Sequence, residues 1–369
     1  KILAGLEEVE ITSQELFDQI KGEALCIRAW AHFNLVQLYA KRYEAGKDNT
    51  QDGIPYREKA VAEEQARNSV EDVYAKINND LDEACILLSG IKVNDVNHYS
   101  EMVAWGLKAR VALTMQDYNN AAVYAGKSIS LAEAGGHQLM TGSQLNCGFA
   151  NITTDTKEAM YAAMTPDDKT VYFYSYYAYM SWNFNSSAIR QGVKCINVDA
   201  YETMSETDLR RAWWDPTGEA SVPSSSAKNA YQNRKFTARS TADAVGDVAF
   251  MRLAEMYLTQ AEALARAGKD SEAQTVFTKF QITRDPSYVS KGNTGDALAE
   301  EIMNSRRVEL WGEGFRFYDL KRLHLSIKRG SNFDIAFCTF LEKDKDAQGW
   351  VWEIPKIETD FNSLCTKNY

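Results

Sequence analysis

FMRLAEMYLTQAEALARAGKDSEA, residues 250–273, reads as a helix, a glycine turn and the start of a second helix, with Ala261, Gly268 and Ala273 at the places where two helices would meet. Short side chains at a crossing let two helix axes approach to about 8–10 Å. Phe277 follows as the aromatic contact, so 248–283 fits a helical hairpin of the tetratricopeptide kind. Nothing in the stretch carries chemistry. Its work is packing, and function must lie elsewhere in the chain.

The same arrangement recurs on both sides. In 98–132, Trp105, Ala109, Tyr118, Ala121 and Ala125 occupy the aromatic, small and contact positions of such a repeat. Upstream, apolar residues recur at three and four from Leu16 to Tyr39. A polar loop over 43–58 leads to a second helix over 69–88, with Ser69 as its N-cap. A fourth hairpin runs from Ala297 to Lys328, with Leu298, Ile302, Val308 and Leu310 on its first helix and Phe315, Phe317, Leu320 and Leu323 on its second. Four copies are enough to bury a shared core. The expected fold is all-α: four tetratricopeptide-like hairpins spanning 13–132 and 248–328, with the third hairpin separated from the second by an insertion over 133–247. That insertion, with Gly135-Gly136, a strand-like end to KEAMYAAM (157–164) and a Ser-rich stretch at 219–229, predicts an irregular, loop-rich subdomain with a few short strands. The tail, 329–369, is mixed, and WVWEIP (350–355) reads as a short strand closed by Pro355.

At 369 residues and 45% hydrophobic content the chain can bury a sizeable core. Lys and Arg number 41 against 51 Asp and Glu, a net charge of -10, and no dense basic block offers itself to a phosphate backbone, so nucleic acid is not an expected partner. The six cysteines stand singly, without zinc-site spacing; free thiols are expected rather than disulfides, and no metal or cofactor. No run of about 18 apolar residues is present to span a membrane as a helix. Lys1 opens on what reads as mid-helix sequence, so a targeting segment is expected to have been cut away or to lie outside these residues.

Catalytic constellations are missing. His32, His98, His137 and His324 fall at no metalloprotease spacing, and the Gly312-Glu313-Gly314 turn falls short of a phosphate-cradling loop. Glu63-Glu64 and Glu300-Glu301 are adjacent pairs whose side chains diverge on a helix. The Arg-rich segment 304–322 offers two readings: an anion site built from Arg306, Arg307, Arg316, Lys321 and Arg322, or a structural turn in which Glu309 and Glu313 pair with Arg306, Arg307 or Arg316. Acidic residues within one helical turn of nearly every Arg favour the second.

The aromatic run TVYFYSYYAYMSWNF (170–184) is harder to explain by packing. Tyr172, Tyr174, Tyr176, Tyr177, Tyr179 and Trp182, with Asn183 and Asn185, show no helical or alternating division into apolar and polar faces. Buried phenols each need a partner. Flat rings suit the C–H face of a sugar, and amides suit its hydroxyls, so this segment is either a ligand surface or a local aromatic core. Trp213-Trp214 raises the same question. Adjacent side chains diverge, so at most one faces a ligand, and Trp214 is kept as the candidate.

KGEALCIRAWAHFNLVQLYA (21–40), GIPY (53–56), the hairpin from Trp105 to Ala125, FMRLAEMYLTQAEALARAG (250–268), RRVELWGEGFRFYDLKR (306–322) and WEIPKIETDFN (352–362) together resemble the SusD/RagB family of Bacteroidetes over essentially the whole chain. The resemblance implies a single SusD-like domain over 1–369: a helical scaffold with an irregular half packed on one side to face ligand. It further implies a non-catalytic outer-membrane lipoprotein that captures oligosaccharides, or in some members peptides, for a SusC-like TonB-dependent transporter. Membrane contact would be only through a lipid anchor outside this chain. Contacts in the family come from the loop after the first helix and from the insertion, here 42–58 and 165–200, which adds Tyr43 and Asn49 to the candidates. A helical-repeat groove for peptide or protein is the competing reading. A glycoside hydrolase would need two carboxylates about 5–10 Å apart across a cleft, and the sequence nominates none.

Overall fold

A computed structural model describes residues 1–61, 63–166, 174–223, 228–336 and 338–369. Four helix pairs follow one another: Gln14–Tyr39 with Val70–Leu87, Glu101–Thr114 with Tyr118–Ala134, Leu253–Arg266 with Asp270–Arg284, and Gly295–Glu309 with the shorter Arg316–Arg322. Local chemistry starts them where expected. Ser13 Oγ accepts from the Leu16 amide at 3.3 Å, Ser69 Oγ from Asp72 at 3.1 Å, and Asp117 Oδ1 from Asn120 at 3.2 Å. Two pairs turn by the same Schellman closure. Lys269 N donates to Leu264 O at 2.9 Å across Gly268 at φ +75°, and Asp117 N donates to Ala112 O at 2.9 Å across Gln116 at φ +62°. In the second turn a side chain offsets the strain of a non-glycine residue: Gln116 Nε2 reaches the Tyr43 and Arg322 carbonyls at 3.3 and 3.1 Å.

Ala109, Ala121, Ala125 and Ala261 are fully buried where the second and third pairs cross. A Cβ on Gly126 would lie 2.6 Å from Gln260 Nε2, and one on Gly106 would lie 2.5 Å from Met251 Sδ. The helix of the opening stretch begins later than the sequence suggests, because Val248–Arg252 is a strand, antiparallel to Ala159–Ala163 with Ala162 opposite Ala249. A short apolar run adjoining a helix cannot be told from that helix by periodicity alone. WVWEIP is no strand either: Trp352 N donates to Leu38 O at 2.8 Å, and after Pro355 a helix, Lys356–Phe361, begins.

Two hydrophobic clusters result. One lies among the helix pairs; the other gathers Leu145, Phe149, Tyr177, Phe184, Ile196, Trp213, Trp214 and Phe236 around Val308 at the end of the fourth pair's first helix. Between them sits a buried ionic hub. Glu309 Oε1 receives Arg252 and Arg284, each at 2.9 Å, and its Oε2 receives Arg210 at 3.3 Å. Glu158 is held by Arg252 and by Arg284 at 2.8 Å, and Glu313 by Lys235 at 2.6 Å and Arg252 at 2.7 Å. With Asp208 on Arg210 at 2.7 Å, four cations face four carboxylates. The structural reading of the Arg-rich segment thus needs different partners. Glu309 and Glu313 are paired from distant elements, while Arg306 turns to Asp319 at 3.0 Å. All six cysteines are free thiols. Among the described residues no helix is long and apolar enough to cross a membrane.

Candidate functional site

The Leu310–Phe315 turn, held open by Gly312 at φ +80° and Gly314 at φ +90°, is a septum between two hollows. Glycine is required at 312: a Cβ there would stand 2.6 Å from Phe236 Cε2 and 2.9 Å from Met180 Cε. The inner hollow, about 430 Å³, lies between scaffold and insertion, with Trp30, Asn34, Gln37, Tyr176, Phe250 and Tyr318 on its walls. The outer cleft, about 1040 Å³, lies between residues 190–197, the turn and the tail strand and loop at 327–334, with Cys338 beside them. Tyr176 lines the inner hollow and Met180 the outer, so the one-turn helix Tyr176–Met180 straddles the septum.

The inner hollow is electrostatically balanced. Its arginines are each matched: Arg110 by Glu255 at 2.6 Å, Arg306 by Asp319 at 3.0 Å and Arg322 by Glu262 at 2.7 Å. Asn34 and Gln37 donate to the carbonyls of Trp30 and Phe33 at 2.7 and 3.1 Å, leaving their own amide oxygens available for hydroxyl donors. Rings and amides around a hollow of this size suit a neutral, hydroxylated ligand. Trp30, Asn34 and Gln37 sit at i, i+4 and i+7 of one helix, and the sequence reading did not single them out as a site. The signal was present as polar residues interrupting an apolar face.

The aromatic segment divides between interior and surface. Tyr174 is 91% exposed and Tyr179 46% exposed. Trp182 is half-buried, its Nε1 on Thr237 Oγ1 at 2.8 Å and one face under the Arg234 guanidinium at 4.5 Å. Asn185 is exposed and holds Arg190 at 2.7 Å. Tyr176 and Tyr177 point inward, their hydroxyls donating to Gly312 O and Asp247 O, each at 3.0 Å. Burial pushes both phenols well up, so they remain donors at neutral pH. Asn183 is buried and clamps Ala238 through two bonds of 2.8 Å, a structural use of the amide in place of the expected ligand contact. Trp214 is buried against Trp213, Tyr201 and Trp311. Asn49 is buried at φ +48° and ties its own loop together through Glu44 and Lys47, and Tyr43 donates to Glu71 at 2.8 Å, away from the aromatic segment. Tyr172 lies outside the described residues.

A sequence profile of the SusD family matches residues 37–364. The chain belongs to the SusD family. Over 90 residues it is 31% identical to the SusD-like protein P38 of Formosa agariphila, a match that covers 22% of this chain and 18% of that relative's length. Among solved structures it is similar to a SusD-like carbohydrate binding protein from Bacteroides vulgatus, with a TM-score of 0.81 and 24% identity over 98% of this chain and 80% of that one. It is also similar to the surface glycan-binding protein A of Bacteroides fluxus, with a TM-score of 0.71 and 21% identity over 97% and 78% of the two chains. At such identities the likeness shows a shared fold, mostly helical with short strands.

Proposed function

We propose that this SusD-family chain is a non-catalytic, surface-exposed receptor that captures oligosaccharides and passes them to a SusC-like TonB-dependent transporter of the outer membrane, held there by a lipid anchor outside these residues. The observation that carries the reading is a charge-balanced hollow walled by Trp30, Tyr176, Phe250, Tyr318 and the amides of Asn34 and Gln37, with the exposed rings Tyr174 and Tyr179 in the same chain segment as Tyr176. Rings stack on sugar C–H faces while amides accept hydroxyl protons. The names of the two structural relatives point the same way. Tyr174 and Tyr179 are exposed, so removing both tests recognition without opening the core.

In affinity electrophoresis over a panel of polysaccharides, the Tyr174→Ala, Tyr179→Ala protein is expected to lose roughly tenfold in retention, equivalent to about 1.4 kcal/mol. Its thermal melt stays within a few degrees of the parent. Unchanged retention removes the aromatic segment from the site. Released sugars in a hydrolysis assay on the same panel would overturn the non-catalytic reading.

A further inference from the structure

The outer cleft has the opposite electrostatics from the inner hollow. Arg190, Lys194, Arg307, Arg316, Lys328 and Arg329 line it, and among the described residues Asp334 is its sole lining carboxylate. Lys228, at the rim, is matched by Glu219 at 4.0 Å. For the other six, no carboxylate among the described residues comes within ion-pair distance. In a chain of net charge -10, this is a local reversal of sign.

Arg307 and Arg316 are two of the six lining cations. Both flank the septum turn, and neither donates a hydrogen bond to any described residue, although a guanidinium carries five N–H donors. Asp199 acts on Arg307 only from a distance, and Asp319, the acid that acts on Arg316, is committed to Arg306 and Arg322 at 3.0 and 2.9 Å. Arg316 is exposed on the cleft wall and Arg307 half-buried, and the crowding of protein around Arg316, with the like charge of Arg307, pushes its guanidinium below the ordinary value. Two guanidiniums lining one cleft, with no described residue taking their N–H donors, offer the fork geometry that a planar or tetrahedral oxyanion fits. Trp311 and Phe317 contribute apolar surface to the same wall.

Resting on the glycan-capturing reading above, we propose that the outer cleft binds the acid groups of an anionic oligosaccharide, its uronate or sulfate oxygens taken by Arg307 and Arg316. The cleft's volume of about 1040 Å³ admits several sugar units. The neutral inner hollow and the cationic cleft share the septum, so one chain can lay an uncharged unit against Tyr176 and an acidic unit against Arg316.

The test uses the intact protein and four ligands: oligogalacturonate, a chondroitin sulfate oligosaccharide, a neutral maltooligosaccharide and poly-L-glutamate. Calorimetry is expected to show the carboxylated saccharide, the sulfated one or both binding at least about tenfold more tightly than the neutral one. That advantage should disappear in the Arg307→Gln, Arg316→Gln protein and fade between about 0.05 M and about 0.5 M salt, as screened ion pairs do. Comparison of the two acidic arms tells uronate from sulfate. Binding of the neutral ligand alone, or acidic binding indifferent to the double substitution, overturns the inference and leaves sugar capture standing. Binding of no saccharide in any arm overturns both readings. Equal binding of poly-L-glutamate overturns the saccharide assignment in favour of an acidic peptide.

Discussion

At the scale of single residues, Glu309 shows why neighbours in sequence are poor guides to partners in a fold. It lies one helical turn from Arg306, which suggests a local pair, yet the helix carries Arg306 to Asp319 and turns Glu309 toward Arg284, Arg252 and Arg210, at separations of 25, 57 and 99 residues. Burial alone would raise its carboxyl. The surrounding guanidiniums override that and hold it well below the usual range. Removing one member of a buried ion cluster leaves uncompensated charge, which costs about 3–5 kcal/mol. Glu309→Gln is therefore expected to lose that amount in urea denaturation, whereas Arg316→Gln, which breaks no ion pair, should change stability by less than about 0.5 kcal/mol. A loss under about 1 kcal/mol for Glu309→Gln would mean that the hub contributes little to holding the two clusters together.

Among elements, the helix pairs were legible because small residues at regular helical spacing mark the points where two helices cross closely, and Ser69 signalled the helix it caps. Val248–Arg252 was not, since an apolar strand of five residues running into a helix has no period of its own. The Tyr176–Met180 helix was hidden for a similar reason: one turn has no faces until its neighbours supply them. Helix crossings also make a prediction, because two glycines that read alike in sequence differ in what they meet. Alanine favours a helix interior over glycine by about 1 kcal/mol. At Gly126 the obstructing atom is the end of the flexible Gln260 side chain, which can swing aside. At Gly106 the new methyl would meet Met251 Sδ at 2.5 Å and Met256 Sδ at 3.2 Å, both fully enclosed. Gly126→Ala is thus expected to leave the melting temperature unchanged or slightly raised, and Gly106→Ala to lower it by the equivalent of about 1–3 kcal/mol of overpacking. Equal effects at the two positions would contradict this account of the crossing.

Across the whole molecule, the candidate site was only half legible, because its parts come from residues 30–37, 176–180, 250 and 307–318, which nothing local relates. The aromatic run was conspicuous, but which of its rings face solvent is decided by the second hydrophobic cluster. The same long-range assembly sets the response to acid. Burial would raise the carboxyls of Glu262, Glu309 and Glu313, but arginine and lysine partners hold all three below their ordinary value, Glu262 at about 2 through Arg322. A carboxyl with a folded pKa below its unfolded one contributes stability that is complete above the unfolded value of about 4.5 and is lost as pH falls through the folded value. Lys235 and Lys321, pushed down by burial to about 8 and about 7, are protonated in both states throughout that window and add no slope. His32 and His137, pushed below their ordinary value by burial, add a shallow loss that begins near their unfolded value of about 6.5. Melting temperature is therefore expected to decline slightly from about pH 7 to about pH 5 and then to fall steeply toward about pH 3, with more than one proton taken up on unfolding. Because the hub joins the helix pairs to the insertion, both should unfold in a single transition, and Glu262→Gln should flatten the acid slope while lowering stability at neutral pH. A melt that stays level down to about pH 3 would show that these carboxyls are not held down by their partners, and one that splits into two transitions would show that the hub does not bind the two clusters into one cooperative unit.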